Sequence, residues 1–173
     1  MTAPRDTAGV IAPPPLIYLG FLLLGWGIDH LAAIPAVRTA IGPNSAGWLG
    51  LGFGLETAAR WVIALILIIG GILVNGIAAG HFRRLGTPPQ PWKPTTALAT
   101  GGLYRFSRNP IYLGFAVTYA GLAIGMDSVL TLALLAPCLL VVDRLVIARE
   151  ERYLAGKFGA EYDAWRARVR RWL

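Results

Sequence analysis

Residues 61–80, WVIALILIIGGILVNGIAAG, run for twenty positions without a charge. A helix needs about 20 apolar residues to cross the hydrocarbon of a bilayer. This one stretch therefore constrains the chain more than any other feature does. In lipid, only helices and closed barrels satisfy every backbone group. The run is continuous rather than alternating, which selects the helix. Three more apolar segments follow the same logic: 16–34, 111–126 and 129–148. The helix that contains 61–80 is expected to start as early as about Leu55. The segment at 111–126 is shorter than the lower limit of roughly 17 residues and depends on its flanks. Only Asp127 and Ser128 separate it from the next segment, so the two form a helical hairpin with a capped second helix.

The expected architecture is all-α: a single integral membrane domain over 1–173, with about four transmembrane helices. Composition agrees. The chain is 55% hydrophobic and 14% charged, where soluble domains carry about 25% charge. The net charge of +7 suits an anionic membrane face better than nucleic acid in so apolar a chain. Arg5 is offset by Asp6, and three prolines at 13–15 precede the first apolar run, a poor pattern for a signal peptide. The single cysteine, Cys138, lies within an apolar run and reads as a small core residue.

Basic residues orient the spans. Fourteen of the sixteen lie in the N-terminal arm, in the 81–110 loop and in the tail from Arg144 onward, against two in residues 35–60. The positive-inside rule then places both termini and the 81–110 loop in the cytosol, which in a bacterium means the inner membrane. Gly76/Gly80 and Gly121/Gly125 are small-xxx-small pairs suited to close helix packing. In the tail, Phe158, Tyr162, Trp165, Val169 and Trp172 recur at helical spacing among arginines. They predict a C-terminal amphipathic helix, lying either in the headgroup region or on the protein's own loops.

Two polar clusters need an explanation. Asn109-Pro110 reads as a helix start, with Asn as N-cap and Pro at the first helical position. A helix N-terminus attracts anions, and Arg105 and Arg108 sit in the turn before it. Glu150 and Glu151 have no basic residue three or four positions away, so they face another element, a ligand or water. Asp143 and Arg144 lack such partners too, and Arg144 can snorkel to the interface. The hairpin brings these clusters to one end of the bundle. The expected pocket has a cationic pole at Arg105, Arg108 and the helix start, and an anionic pole at Glu150 and Glu151. That polarity fits a zwitterionic amino-acid ligand. No metal-ligand set is expected, because His30 and His81 fall at opposite ends. Asp29-His30 reads as an interfacial polar pair.

These residues resemble the isoprenylcysteine carboxyl methyltransferase and phospholipid methyltransferase family of integral membrane enzymes. The likeness runs over about 80–172. It includes Gly86-Thr87-Pro88, Pro91-Trp92, Thr100, Gly102, Tyr104, then Arg108-Asn109-Pro110, Tyr112 and Gly114, then Glu150-Glu151, and a tail with Phe158-Gly159, Tyr162 and Val169-Arg170-Arg171-Trp172. Leu103 replaces the usual Pro of the family's Gly-Pro-Tyr, and Asn109 stands where the carboxyl methyltransferases typically have His.

The resemblance implies S-adenosylmethionine bound at the cytosolic face by the 81–173 half. It implies a lipid-like or prenylated acceptor, carboxylate or amine, reached from the bilayer. It marks Tyr104, Arg108, Asn109, Tyr112, Glu150 and Glu151 as cofactor-site candidates, with His81 and Arg105 as additions. Arg108 and Asn109 are the candidates for a catalytic part. Within that set, Arg108 is assigned the cofactor carboxylate, and the Glu pair its ammonium or ribose. A membrane reductase using NADPH and a non-enzymatic small membrane protein are the alternatives.

Overall fold

A computed structural model describes residues 6–37 and 52–173 of the chain. Arg5 and Arg38, which entered the charge count, lie outside the described residues. Among the described residues all regular structure is helical. The long helices are α1 (Pro14–Ala33), α2 (Thr57–Arg84), α3 (Pro110–Gly125) and α4 (Val129–Phe158). A short α5 (Ala160–Arg166) follows. Helices α1, α2 and α4 are long and apolar enough to cross a membrane, and α3 is a shorter apolar helix of 16 residues.

The outward faces of α1 and α2 show why this chain needs lipid. Leu23, Leu24, Ile66, Ile69, Leu73 and Ile77 are all exposed. In water such a belt would drive association; in hydrocarbon it is matched to its solvent. Helix association in lipid then depends on close packing. The tightest pairing is α2 against α3, where glycines let backbones touch. A Cβ at Gly71 would lie 2.5 Å from the Gly114 carbonyl oxygen, and one at Gly121 would lie 2.8 Å from that of Ala64. Gly121 and Gly125 sit at this interface as expected. Gly76 and Gly80 do not: a side chain there would meet open space. The α2 glycine in the seam is instead Gly71, five residues before Gly76.

Helix α4 runs ten residues beyond the expected end at 148, so Glu150 and Glu151 lie on the span helix itself. It is not uniform. The regular turns break between Ala133 and Leu135, where Pro137 removes an N–H and crowds the carbonyl four residues back. Asp143–Ile147 form a π turn. A π turn absorbs one extra residue, which brings Asp143 and Glu151 toward one face.

The hairpin turn forms as the sequence predicts. Ser128 Oγ accepts from Thr131 N at 2.8 Å and caps α4. The Ser128 hydroxyl also bonds to Asp29, so Asp29 joins α1 to the hairpin turn rather than serving a separate site. Asp127, at φ 57, accepts from Phe53 N at 2.9 Å and pairs with Arg60 at 2.6 Å.

The buried interior has two clusters. One packs Tyr18, Tyr112, Tyr119, Cys138, Val142 and Val146 between α1, α3 and α4. The other gathers Ala78, Ala99, Tyr104, Tyr162, Trp165 and Val169 beneath the 88–99 loop. The second cluster corrects the tail. A single amphipathic helix does not run to residue 172: α4 ends at Gly159, whose φ of 53 favours glycine, and α5 stops at Arg166. The tail aromatics Tyr162 and Trp165 are buried against the protein's own loop segments.

Candidate active site

The chain enters the site through Gly101-Gly102, where Gly102 takes a φ of 58, and a 3-10 turn over Gly102–Arg105. That turn buries Tyr104. Its ring stands edge-on to Phe82 at 5.3 Å, and its carbonyl oxygen accepts from Trp165 Nε1 at 3.2 Å. His81 stacks behind Tyr104 at 6.0 Å and lies against Gly101.

Helix α3 begins at Pro110, as the sequence predicts, but Asn109 is not its side-chain cap. Its Nδ2 instead donates to the Arg171 carbonyl oxygen at 3.0 Å, while its backbone N–H donates to Ser107 Oγ at 3.1 Å. Arg108 N donates to the Arg170 carbonyl oxygen at 2.9 Å. The chain's last residues are thus sewn onto the turn that starts α3.

Six of the eight candidate residues line one cleft: Tyr104, Arg108, Asn109, Tyr112, Glu150 and Glu151. The cleft encloses about 760 Å³ with its open mouth included. His81 and Arg105 are not in its wall; Arg105 is exposed and His81 supports Tyr104 from behind. The remaining wall comes from Phe82, Ile111, Tyr153, Leu154, Tyr162 and Trp165, from the 88–99 loop, and from Ala8 of the N-terminal arm.

The two charge poles are not opposite each other. Arg108 Nη2 lies 3.3 Å from Glu151 Oε1, with both side chains nearly buried, at 12% and 13% exposed. The partner that Glu151 lacks on its own helix is Arg171, twenty positions further along the chain. Arg171 Nε donates to Glu151 Oε1 at 3.1 Å and Nη2 to Oε2 at 2.5 Å. Its Nη1 donates to both oxygens of Asp143, at 3.1 and 3.0 Å. The π turn is what lets one guanidinium reach Asp143 and Glu151 together. The bond to Glu151 holds the Arg171 guanidinium even above its usual range. Among the described residues Arg144, 78% exposed, reaches only its neighbour Asp143, at 3.8 Å.

Among the described residues no arginine pairs with Glu150. It accepts from Tyr112 Oη at 2.5 Å. Arg108 keeps Nε and Nη1 buried without a hydrogen-bond partner among the described residues. A buried guanidinium with unspent donors is costly and calls for an acceptor. Burial pushes the Tyr104 and Tyr162 phenols up, with nearby glutamate charge adding to it, so both remain neutral donors at ordinary pH.

Sequence reasoning missed Arg171, although the closing Arg170-Arg171-Trp172 was part of the quoted tail. It also missed Tyr153, Tyr162 and Trp165 as cleft residues. For Tyr162 and Trp165 the signal was the aromatic spacing in the tail, which two different environments would satisfy equally; Tyr153 lies outside that pattern.

A family model described as phospholipid methyltransferase matches residues 59–161. A 35-residue stretch is 54% identical to an uncharacterized protein of Haemophilus influenzae, taking in 20% of this chain and 56% of that protein. The chain therefore spans little more than half the length of that curated relative. No solved structure matches the chain. The family match covers more than half of the sequence, including nearly all of α2, the whole of α3 and both glutamates, and on it the chain belongs to the phospholipid methyltransferase family, a family of membrane methyltransferases.

Proposed function

We propose that the chain is an S-adenosylmethionine-dependent methyltransferase whose cofactor occupies the cleft and whose acceptor is a lipid-like or prenylated molecule held in the bilayer. The observation that carries this reading is the pair of unspent, buried Arg108 nitrogens in the cleft wall. Each of these buried nitrogens can donate a charge-assisted hydrogen bond to an anionic oxygen such as those of a carboxylate. Glu150, which no arginine among the described residues neutralises, lines the same cleft and suits an ammonium or ribose hydroxyls. Glu151 is committed to Arg171 and Arg108, so it holds the arginines rather than the ligand. When bound, the cofactor supplies a methyl group activated by a sulfonium.

The chain's own part is to bind, orient and exclude water. Arg108 fixes one end of the amino-acid moiety and Glu150 the other. Tyr104, Tyr162 and Trp165 offer aromatic surface to an adenine ring or to a cation. Phe82, Ile111, Leu98 and Leu154 give the cleft an apolar side suited to an acyl or prenyl chain. Alignment and desolvation are then the main sources of rate. In this reading 81–173 is the cofactor-binding half of one membrane domain. The cleft and both termini face the cytosol of a bacterial inner membrane.

Calorimetry of the detergent-purified protein with S-adenosylmethionine, S-adenosylhomocysteine and NADPH tests the reading, paired with a labelled-methyl assay on native membrane lipids. Binding of the first two ligands and label in a lipid fraction are expected. A folded sample that binds only NADPH, or none of the three, overturns it.

A further inference from the structure

We infer that Arg171 is a positioning residue that keeps Arg108 available to a ligand carboxylate by restricting Glu151 to a single contact with it. The inference rests on the reading of the cleft as an S-adenosylmethionine site. Glu151 is the carboxylate within ion-pair distance of Arg108 among the described residues, and both side chains are nearly buried. Left alone, such a pair closes into a two-point contact, the strongest geometry open to it. Here it makes one contact, at 3.3 Å. The reason is that both Glu151 oxygens already accept from Arg171.

Arg171 is itself fixed from other directions. Asp143 holds its Nη1, and its carbonyl oxygen accepts from Asn109 Nδ2 and from Ser107 Oγ at 3.4 Å. The clamp and the arginine it protects are therefore built on the same turn. Remove the Arg171 guanidinium, and Glu151 is free to take the Arg108 nitrogens that the ligand's carboxylate would use. Glu151 then becomes a competitor inside the site.

The test compares two ligands that share a nucleoside and a sulfur. S-adenosylhomocysteine carries the amino-acid carboxylate, and 5′-methylthioadenosine lacks it. In calorimetry of the full chain, Arg171→Ala is expected to weaken S-adenosylhomocysteine by about tenfold while leaving methylthioadenosine within about twofold. Arg171→Lys, which keeps a charge on Glu151 without the fork, is expected to fall between. Arg171→Ala/Glu151→Gln removes the competitor and is expected to restore S-adenosylhomocysteine binding, which a merely structural role for Arg171 would not do. Equal losses for both ligands, no loss, or no recovery in the double variant overturns the inference while the cofactor reading stands. Wild-type protein that binds neither ligand overturns both.

Discussion

The two ends of the helix bundle solve the same electrostatic problem in different ways. At the Asp127 end, each charge has a local task. Asp127 accepts a backbone N–H and pairs with Arg60, and Ser128 caps α4 while bonding to Asp29. At the Pro110 end, charges are pooled. Glu151 serves two arginines, Arg171 serves two carboxylates, and Arg108 still has two nitrogens to spend. Arg60 also leaves its Nε unpaired, yet among the described residues only the Arg108 end opens onto the cleft. The difference separates a closure from a site: the first uses polar groups to finish turns, and the second stores donors in a wall that a ligand can reach.

Substitutions at the two ends break or sharpen that contrast. The largest effect is expected from Arg108→Ala. It removes the stored donors but leaves Glu151 paired with Arg171, so S-adenosylhomocysteine affinity should fall by about a hundredfold, or about 3 kcal/mol. Thermal unfolding should move little. Asp127→Asn should do the reverse. It weakens charge-assisted bonds that close the hairpin and should lower stability by about 1–2 kcal/mol, read by unfolding in detergent, with ligand affinity unchanged. Glu150→Gln keeps the side-chain shape and its bond to Tyr112 but removes the charge offered to an ammonium. A loss of about tenfold in S-adenosylmethionine affinity is expected in calorimetry.

The smallest effect concerns the N-terminal arm beside the cleft mouth. Asp6 accepts from Lys157 Nζ at 2.6 Å and from Tyr153 Oη at 2.9 Å, and Arg149 Nη1 donates to the Gly9 carbonyl oxygen at 2.9 Å. The Lys157 hydrogen bond, then that of Tyr153, lowers the Asp6 carboxyl below its ordinary value of 3.8. A depressed folded value means the contact is fully present above the ordinary value and lost as pH falls through the lowered one. Hydrogen exchange at residues 6–10 should therefore be protected at neutral pH and gain an acid-induced opening, absent in Asp6→Asn. The pair is exposed, so high salt should weaken it as well.

The spans were legible because apolar length is a property of composition, and α3 began at Pro110 because its fixed φ and missing N–H suit the first helical position. The hairpin cap at Ser128 followed from the same local chemistry. What the residues did not reveal was set by contacts distant in sequence. Asn109 has every feature of a cap, yet its amide turns to a carbonyl near the chain's end. Gly76 and Gly80 have the right spacing, but Gly71 is the one facing α3. Glu151 correctly lacked a partner on its own helix, and nothing nearby in sequence could name Arg171, twenty positions on. The π turn at Asp143–Ile147 defeats helical-wheel reasoning outright, because it shifts the face of every residue after it.

The most direct test of the central claim is the affinity of wild-type and Arg108→Ala protein for S-adenosylhomocysteine and methylthioadenosine, measured side by side by calorimetry. If Arg108 stores its donors for a carboxylate, the variant loses the first ligand and retains the second. Equal affinity of both proteins for S-adenosylhomocysteine would contradict it.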